Sequence, residues 1–268
     1  MDYMFSALTR IQLLEQLITI VREAGNLVMA VYAAEIEVRF KSDASLVTEA
    51  DRVAEEYLTQ ALVLLTPSIP IVAEEADEES GLPNVEDTFW LVDPLDGTKE
   101  FVSRNGEFTV NVALIEHGKP VLGVVYAPAL GLLYGGSASG SWLEQDGRRD
   151  PIRCRRAPLE GISVVVSRSH GDDAALDAFL KDLPVLGTVS AGSSLKLCMV
   201  ACGRADLYPR LGRTMEWDIA AGHAVLLGAG GDLECLDGKP FRYGKPSFEN
   251  PPFAAWGLVA RENHRLSA

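Results

Sequence analysis

The chain has 268 residues, 47% hydrophobic and 23% charged, a balance that fits a soluble globular protein with material for one large domain or two small ones. Its formal net charge of −14 argues against a non-specific nucleic-acid binder, because phosphate backbones attract basic surfaces. An acidic chain can still receive a phosphorylated small molecule where cations stand between its carboxylates and the ligand.

In chain order, Ile11, Leu14, Ile18, Val21 and Val28 recur at helical spacing and predict an amphipathic helix over 10–31. Arg10, Glu15, Arg22 and Glu23 interrupt it, which a secretory signal would not tolerate. After a loop with Lys41, Ser42 and Asp43, Thr48-Glu49-Ala50-Asp51 opens a second helix with Val53, Tyr57, Leu58, Ala61, Leu62 and Leu65 as its apolar face. Pro67 and Pro70 end it. Strands are predicted at 71–73 and 89–92, and each runs into acids, Glu74-Glu75 after the first and Asp93 after the second. Residues 108–115 alternate as a further strand.

The uncharged stretch 120–143 is long enough to consider as a membrane span. Pro128, its glycines and its serines break it up, so 121–126 and 132–135 read instead as a buried hairpin around Ala127-Pro128-Ala129-Leu130-Gly131. A strand at 162–166, helices at 173–181, 194–201 and 217–227, and a strand at 232–236 after Gly230-Gly231 follow. Arg148, Arg149, Asp150, Pro151 and Pro158 mark a boundary over 149–159, dividing an N-terminal α+β part, 1–155, from a C-terminal α/β part, 156–268. The expected fold class is α/β, with sheets and helices in mixed layers. Cys198 and Cys202 lie one helical turn apart with no matching second pair, so they, Cys154 and Cys235 read as reduced thiols in a cytoplasmic protein.

The segment with most chemical content is Asp93-Pro94-Leu95-Asp96-Gly97-Thr98. Asp93 ends an apolar strand, Pro94 fixes a turn, and Gly97 allows close backbone approach, so both carboxylates can face one space before Thr98 begins a short helix. Hard carboxylate oxygens suit Mg²⁺, which commonly shares its ligand sphere with a substrate phosphate. The plain alternative is a capped turn, since Asp-Pro and Asp-Gly are ordinary turn dipeptides. Plain readings also exist for Glu74-Glu75, a solvated acidic loop, for Asp218 of Trp217-Asp218, a helix-dipole acid, and for Asp51, the fourth residue of a capping box. Strand alternation allows one of Glu74 and Glu75 to point inward. Four such coincidences in one chain favour a site.

Taken together, Glu74-Glu75, the hexapeptide 93–98 and Trp217-Asp218-Ile219-Ala220-Ala221-Gly222 resemble the signature of the inositol monophosphatase superfamily. The resemblance implies lithium-sensitive phosphatases built as a layered α-β-α-β-α sandwich. Lys99-Glu100-Phe101, Gly192-Ser193-Ser194-Leu195-Lys196, Ser167-Arg168-Ser169-His170 and the ending Asn250-Pro251-x-Phe253 resemble its 3′(2′),5′-bisphosphate nucleotidase branch. By that resemblance two or three Mg²⁺ ions are held by Glu74, Asp93, the carbonyl of Leu95, Asp96 and Asp218. Thr98 and Asp51 form a hydrogen-bonded pair that, with Glu74, readies the attacking water. Glu74, Leu95, Asp96, Gly97, Thr98 and Asp218 surround the scissile phosphate, and Gly192, Ser193, Lys196, Ser167 and His170 lie along the nucleotide. The implied partner is a small phosphorylated nucleotide, not a nucleic acid. Some bacterial relatives sit loosely on the inner membrane, but no basic amphipathic anchor is evident here. Nothing in the sequence reports oligomeric state.

Three alternatives bound this reading. A haloacid-dehalogenase-type phosphatase needs a nucleophilic Asp two residues before the second Asp, where this chain has Pro94. An inositol monophosphatase or fructose bisphosphatase keeps the same metal ligands and differs in substrate. A sensor that binds metal and nucleotide without catalysis would not need Asp51 and Thr98.

Overall fold

The structure is a computed structural model, and it describes residues 7–34, 38–40, 46–75, 85–168 and 173–258. In chain order its elements are α1 (Ala7–Tyr32), β1 (Val38–Phe40), β2 (Leu46–Thr48), α2 (Glu49–Leu65), β3 (Ile71–Ala73), β4 (Thr88–Asp96), α3 (Thr98–Val102), β5 (Thr109–Glu116), β6 (Lys119–Ala127), β7 (Leu132–Ser137), β8 (Gly140–Gln145) and β9 (Arg148–Ile152). They continue as β10 (Ile162–Ser167), α4 (Asp173–Leu180), β11 (Val185–Ala191), α5 (Leu195–Ala201), β12 (Leu207–Arg210), α6 (Glu216–Gly228), β13 (Asp232–Cys235) and β14 (Phe253–Trp256).

Among the described residues the strands make a β1–β2 ribbon, a seven-stranded sheet in the order β3-β4-β5-β6-β7-β8-β9, and a five-stranded sheet in the order β11-β10-β12-β14-β13. The first sheet is antiparallel except where β3 runs parallel to β4. Both of its faces are covered, which is why its central strands read as nearly unbroken apolar runs. Trp90, Val92, Val110, Val112, Leu114, Leu122 and Val124 pack against Leu17, Val21, Leu58 and Leu62 of α1 and α2. Their alternates Phe89, Leu91, Ala113, Ile115, Val125 and Ala127 face the other way, into a core shared with α5 and α6. That helix pair in turn meets the five-stranded sheet, whose far side packs Ile162, Val164 and Leu207 against Phe179 and Leu180 of α4. The layers are therefore α1/α2, sheet, α5/α6, sheet, α4: the α-β-α-β-α sandwich expected from the sequence.

The predicted hairpin is β6 and β7, joined by a 3₁₀ turn over Pro128–Leu130. The apolar side of α2 is narrower than its sequence suggests: Ala50, Ala54, Leu58 and Leu62 are buried, while Val53, Tyr57, Ala61 and Leu65 flank them half-buried. β9 occupies the start of the predicted boundary, so the chain leaves the first sheet only after Ile152 and joins the second at Ile162. No helix among the described residues is long and apolar enough to cross a membrane. Cys154, Cys198, Cys202 and Cys235 are all free thiols.

α6 lies so close to the first sheet that two strand positions accept only glycine. A Cβ on Gly136 would stand 2.4 Å from Cα of Val225, and one on Gly123 would stand 2.7 Å from the carbonyl oxygen of Ala221. Both obstacles are helix backbone and cannot swing aside. Gly136→Ala is expected to lower stability by about 1–3 kcal/mol, read as a fall of roughly 2–4 °C in Tm per kcal/mol.

His223, on the same helix, is 5% exposed and its Nδ1 shares a hydrogen bond with the Tyr243 hydroxyl at 2.9 Å. Burial pulls its pKa from 6.5 down to about 3. The unfolded chain then binds a proton that the folded chain refuses, so stability is intact above about pH 6.5 and falls steadily toward pH 3, by ~1.4 kcal/mol per unit. Urea melts between pH 7 and 4.5 are expected to show a shallower pH slope for His223→Gln than for wild type.

Candidate active site

β4 bends as it reaches the site. Asp93 pairs with Asn111 of β5 and Asp96 pairs with Thr109, so three steps on one strand match two on the other. The extra residue is a β-bulge, and it corrects a parity problem. Residues 93 and 96 would face opposite sides of a regular strand, but through the bulge both carboxylates turn toward the α6 face. Beyond them Gly97 takes a left-handed φ of 90° and Thr98 starts α3, as the turn residues predicted.

Three carboxylates from separate elements converge here. Oxygens of Glu74, just after β3, Asp93, on β4, and Asp218, in the first turn of α6, all lie within 4.8 Å of one another. Asp93 is 1% exposed. Its Oδ1 accepts the amide of Leu95 at 3.1 Å, while its Oδ2 is buried without a hydrogen-bond partner. Burial, then Glu74, Asp96 and Asp218, hold the Asp93 carboxyl far above the usual carboxylate range. Burial, Asp96 and Glu74 do the same to Asp218, against the amide of Met215, which donates to its Oδ2 at 2.8 Å. An orphaned oxygen amid crowded, desolvated carboxylates is a donor set suited to a hard divalent cation.

Asp96, also expected as a metal ligand, lines the adjoining cleft but is not one of the three clustered acids. Its Oδ2 accepts from the Ser193 hydroxyl at 2.7 Å and the Ser194 hydroxyl at 3.0 Å. Glu75 turns away from its neighbour Glu74: its amide donates to Glu55 at 2.7 Å and it lines a separate groove beside α2.

Asp51 is buried, and its Oδ2 accepts from both the amide and the hydroxyl of Thr48, each at 2.7 Å. The capping box is thus formed through one carboxylate oxygen, and the expected Asp51–Thr98 hydrogen bond is not among the bonds these residues make. Burial nevertheless raises the Asp51 pKa to about 6, outweighing the Thr48 bonds that lower it.

The cluster opens into a cleft of ≈ 680 Å³ whose lining includes Glu74, Leu95, Asp96, Gly97, Thr98, Ser167, Ser193, Lys196 and Asp218. Lys196 is 7% exposed, with Nζ donating to the carbonyl of Ser193 at 2.6 Å and lying 5.6 Å from the Tyr208 ring centroid. Burial pulls its pKa down to about 8, partly offset by Asp96. Gly192 does not line the cleft directly. Its amide donates to Glu107 at 2.8 Å, and a Cβ there would stand 2.7 Å from Cγ of Glu100, so the position admits no side chain. His170 lies outside the described residues.

Sequence reasoning missed Arg210, Arg213, Tyr208 and Ser194, which also line the cleft. Arg210 and Tyr208 sit on β12, a strand not foreseen because Pro209 interrupts it. Arg210 donates to the carbonyl of Arg213 at 2.8 Å, and its Nε is buried without a partner. The cue that could have found Arg210 is its place in a run of cations, Arg210 and Arg213, just ahead of the acidic α6 start.

Known proteins share this sequence and fold. The sequence profile of the inositol monophosphatase family matches residues 10–266. The chain is 47% identical to the 3′(2′),5′-bisphosphate nucleotidase CysQ of Escherichia coli K12 over 246 residues, 90% of this chain and 98% of that one. It is 39% identical to the CysQ of Buchnera aphidicola, covering 92% and 94%. The crystal structure of CysQ from Bacteroides thetaiotaomicron superposes with a TM-score of 0.75 at 34% identity, covering 91% of this chain and 97% of that one. The Thermotoga maritima IMPase does so with a TM-score of 0.75 at 29% identity, covering 92% of each chain. The fold, the acid cluster and these likenesses agree: the chain belongs to the inositol monophosphatase family.

Proposed function

We propose that this chain is a Mg²⁺-dependent 3′(2′),5′-bisphosphate nucleotidase. It removes the 3′-phosphate of adenosine 3′,5′-bisphosphate to give AMP and phosphate, and also accepts 3′-phosphoadenylyl sulfate, a role in sulfur assimilation. One observation carries the reading beyond the likeness to curated nucleotidases. The cleft is lined both by acids, Glu74, Asp96 and Asp218, and by cations, Lys196, Arg210 and Arg213. A ligand with two phosphates can engage both sets; a single phosphate engages one.

On this reading the part of the chain up to residue 155 supplies Asp51, Glu74 and the 93–98 segment, and the part from 156 onward supplies Asp218 and the nucleotide contacts. Glu74, Asp93, the carbonyl of Leu95, Asp96 and Asp218 would hold Mg²⁺. When bound, Mg²⁺ supplies positive charge against the phosphoryl oxygens and lowers the pKa of water from ~15.7 toward ~7. Thr98, on the cleft wall, would orient the attacking water, and Asp51, its pKa raised to about 6, would take up its proton near neutral pH. Lys196, with the wall that Gly192 and Ser193 shape, and Ser167 at the end of β10 hold the nucleotide away from the acids. His170 joins them by resemblance alone. The reaction belongs in the cytoplasm, where phosphorylated nucleotides are made.

A phosphate-release panel tests the activity. With Mg²⁺, adenosine 3′,5′-bisphosphate is expected to turn over far faster than inositol 1-phosphate or fructose 1,6-bisphosphate, and each rate is expected to collapse in chelator. Preference for inositol 1-phosphate would instead assign the inositol monophosphatase activity. Binding of Mg²⁺ and nucleotide without phosphate release would make the chain a sensor.

The cation reading has its own test. In chelator, Asp93→Asn is expected to melt higher than wild type, by roughly 2–4 °C for each kcal/mol of relieved repulsion. Added Mg²⁺ should raise the wild-type Tm and leave the variant unmoved. A lower Tm for the variant in chelator would show that the crowding of Asp93 is not what the geometry implies.

A further inference from the structure

Ser194 stands at the N-cap of α5, the position where a serine hydroxyl ordinarily accepts an amide of its own helix. Here it does not: its backbone is helical, φ −64°, and its side chain makes no capping bond. The hydroxyl turns outward from α5 instead, where it is 4% exposed. It accepts from Nδ2 of Asn111 at 3.0 Å and faces two acceptors, Oδ2 of Asp96 at 3.0 Å and the carbonyl oxygen of Asp218. One hydroxyl has one proton, so Ser194 donates to one of these at a time and draws both toward itself.

Its neighbour Ser193 repeats the pattern at a conformational cost. Ser193 is held at φ 53°, a left-handed conformation that a residue with a Cβ seldom adopts. That strain brings its hydroxyl to the same Oδ2 of Asp96, at 2.7 Å, with the Thr109 hydroxyl behind it. Thr109 and Asn111 are the β5 residues paired in register with Asp96 and Asp93. Two parallel files thus run from β5 through the serines to one carboxylate oxygen. A missing cap and a strained backbone are both local losses, and strain of this kind points to a site that uses it.

We propose that Ser194, together with Ser193, is a positioning residue: the two hydroxyls occupy Oδ2 of Asp96 and so aim Oδ1 at the cation, while Ser194 ties Asp96 to the Asp218 end of α6. The inference rests on the reading of Asp96 as a cation ligand. It also reassigns the Ser193 hydroxyl, expected from the resemblance to face the nucleotide, to Asp96.

The test is the affinity for Mn²⁺ alone, by calorimetry and by the paramagnetic signal of the free ion, with Tm measured in chelator. Ser194→Ala and Ser193→Gly are each expected to raise the Mn²⁺ Kd by about tenfold or more, the usual effect of losing a partner behind a metal ligand. The Mg²⁺ concentration for half-maximal activity should rise in parallel, with turnover recovering at saturating Mg²⁺. Glycine accepts φ 53° without strain, so Ser193→Gly should melt no lower than wild type while binding Mn²⁺ more weakly, a split that a merely structural serine would not produce. Ser141→Ala is the control: its hydroxyl donates to the carbonyl of Val225 at 2.7 Å, far along α6, so it should lower Tm and leave the Mn²⁺ Kd unchanged. Unchanged Mn²⁺ affinity in both Ser193→Gly and Ser194→Ala overturns the inference and leaves the cation reading intact. Absence of Mn²⁺ binding by wild type removes the cation reading and this inference with it.

Discussion

The structure is organised around a repulsion. Glu74, Asp93 and Asp218 place oxygens within 4.8 Å of one another, with Asp93 sealed from water. Two unit charges at that separation repel by roughly 3–4 kcal/mol at an effective dielectric of about 20, and Asp96 adds to the field on both Asp93 and Asp218. Left to themselves the three acids would separate, hydrate or take up protons. They stay together because each is fixed to an element that cannot move alone, and the stability needed to hold them comes from the apolar cores on either side.

The means of fixing them differ. Asp93 rides on β4, paired on both edges in the first sheet. Asp218 rides on α6, which the glycines of β6 and β7 admit at backbone contact. The far side of α6's first turn is bolted to the loop before β14. Glu216, fully buried, accepts the amides of Gly244 and Lys245 and the Lys245 ammonium, and Asn250 donates to the Thr214 hydroxyl and the Met215 carbonyl. A buried ion pair of this kind contributes little net stability, because desolvation offsets most of the Coulomb gain. What it supplies is a fixed position for the residues on either side, and Asp218 is two residues away.

How far the sequence disclosed this depends on the range of the interaction. α1, α2 and the β6–β7 hairpin were legible because periodicity and turn chemistry are local. So was the turn from Asp93 to Thr98, where Gly97 takes the left-handed φ its place demands. β8, β9, β11, β12 and β14 were not: β9, β11 and β12 carry Pro151, Gly187 and Pro209, and all five are strands because neighbours pair with them. The acids were found as residue types, and the resemblance grouped them. Their convergence depends on a bulge whose register no single strand encodes. Asp51 shows the limit most clearly. The Thr48-x-x-Asp51 capping box forms as its spacing predicts, and it takes up one carboxylate oxygen of the residue expected to reach Thr98.

The mixed charges of the cleft bear on how so acidic a chain would hold an anion, as the proposed function requires. A net charge of −14 repels phosphates at long range, but surface charges are screened within about 8–10 Å at ordinary ionic strength. Inside the cleft the local charges decide. Lys196 is buried in a cleft whose lining also includes Arg210 and Arg213, and burial pulls its pKa down to about 8, only partly offset by Asp96. A buried ammonium without a full counter-charge gains more from an arriving phosphate than a solvated one does, because its desolvation cost is already met by the fold. The clustered acids would repel an anion unless a cation offset their charge. On the proposed reading the cleft would discriminate by requiring both complements at once, a divalent cation at the clustered acids and an anionic group at Lys196.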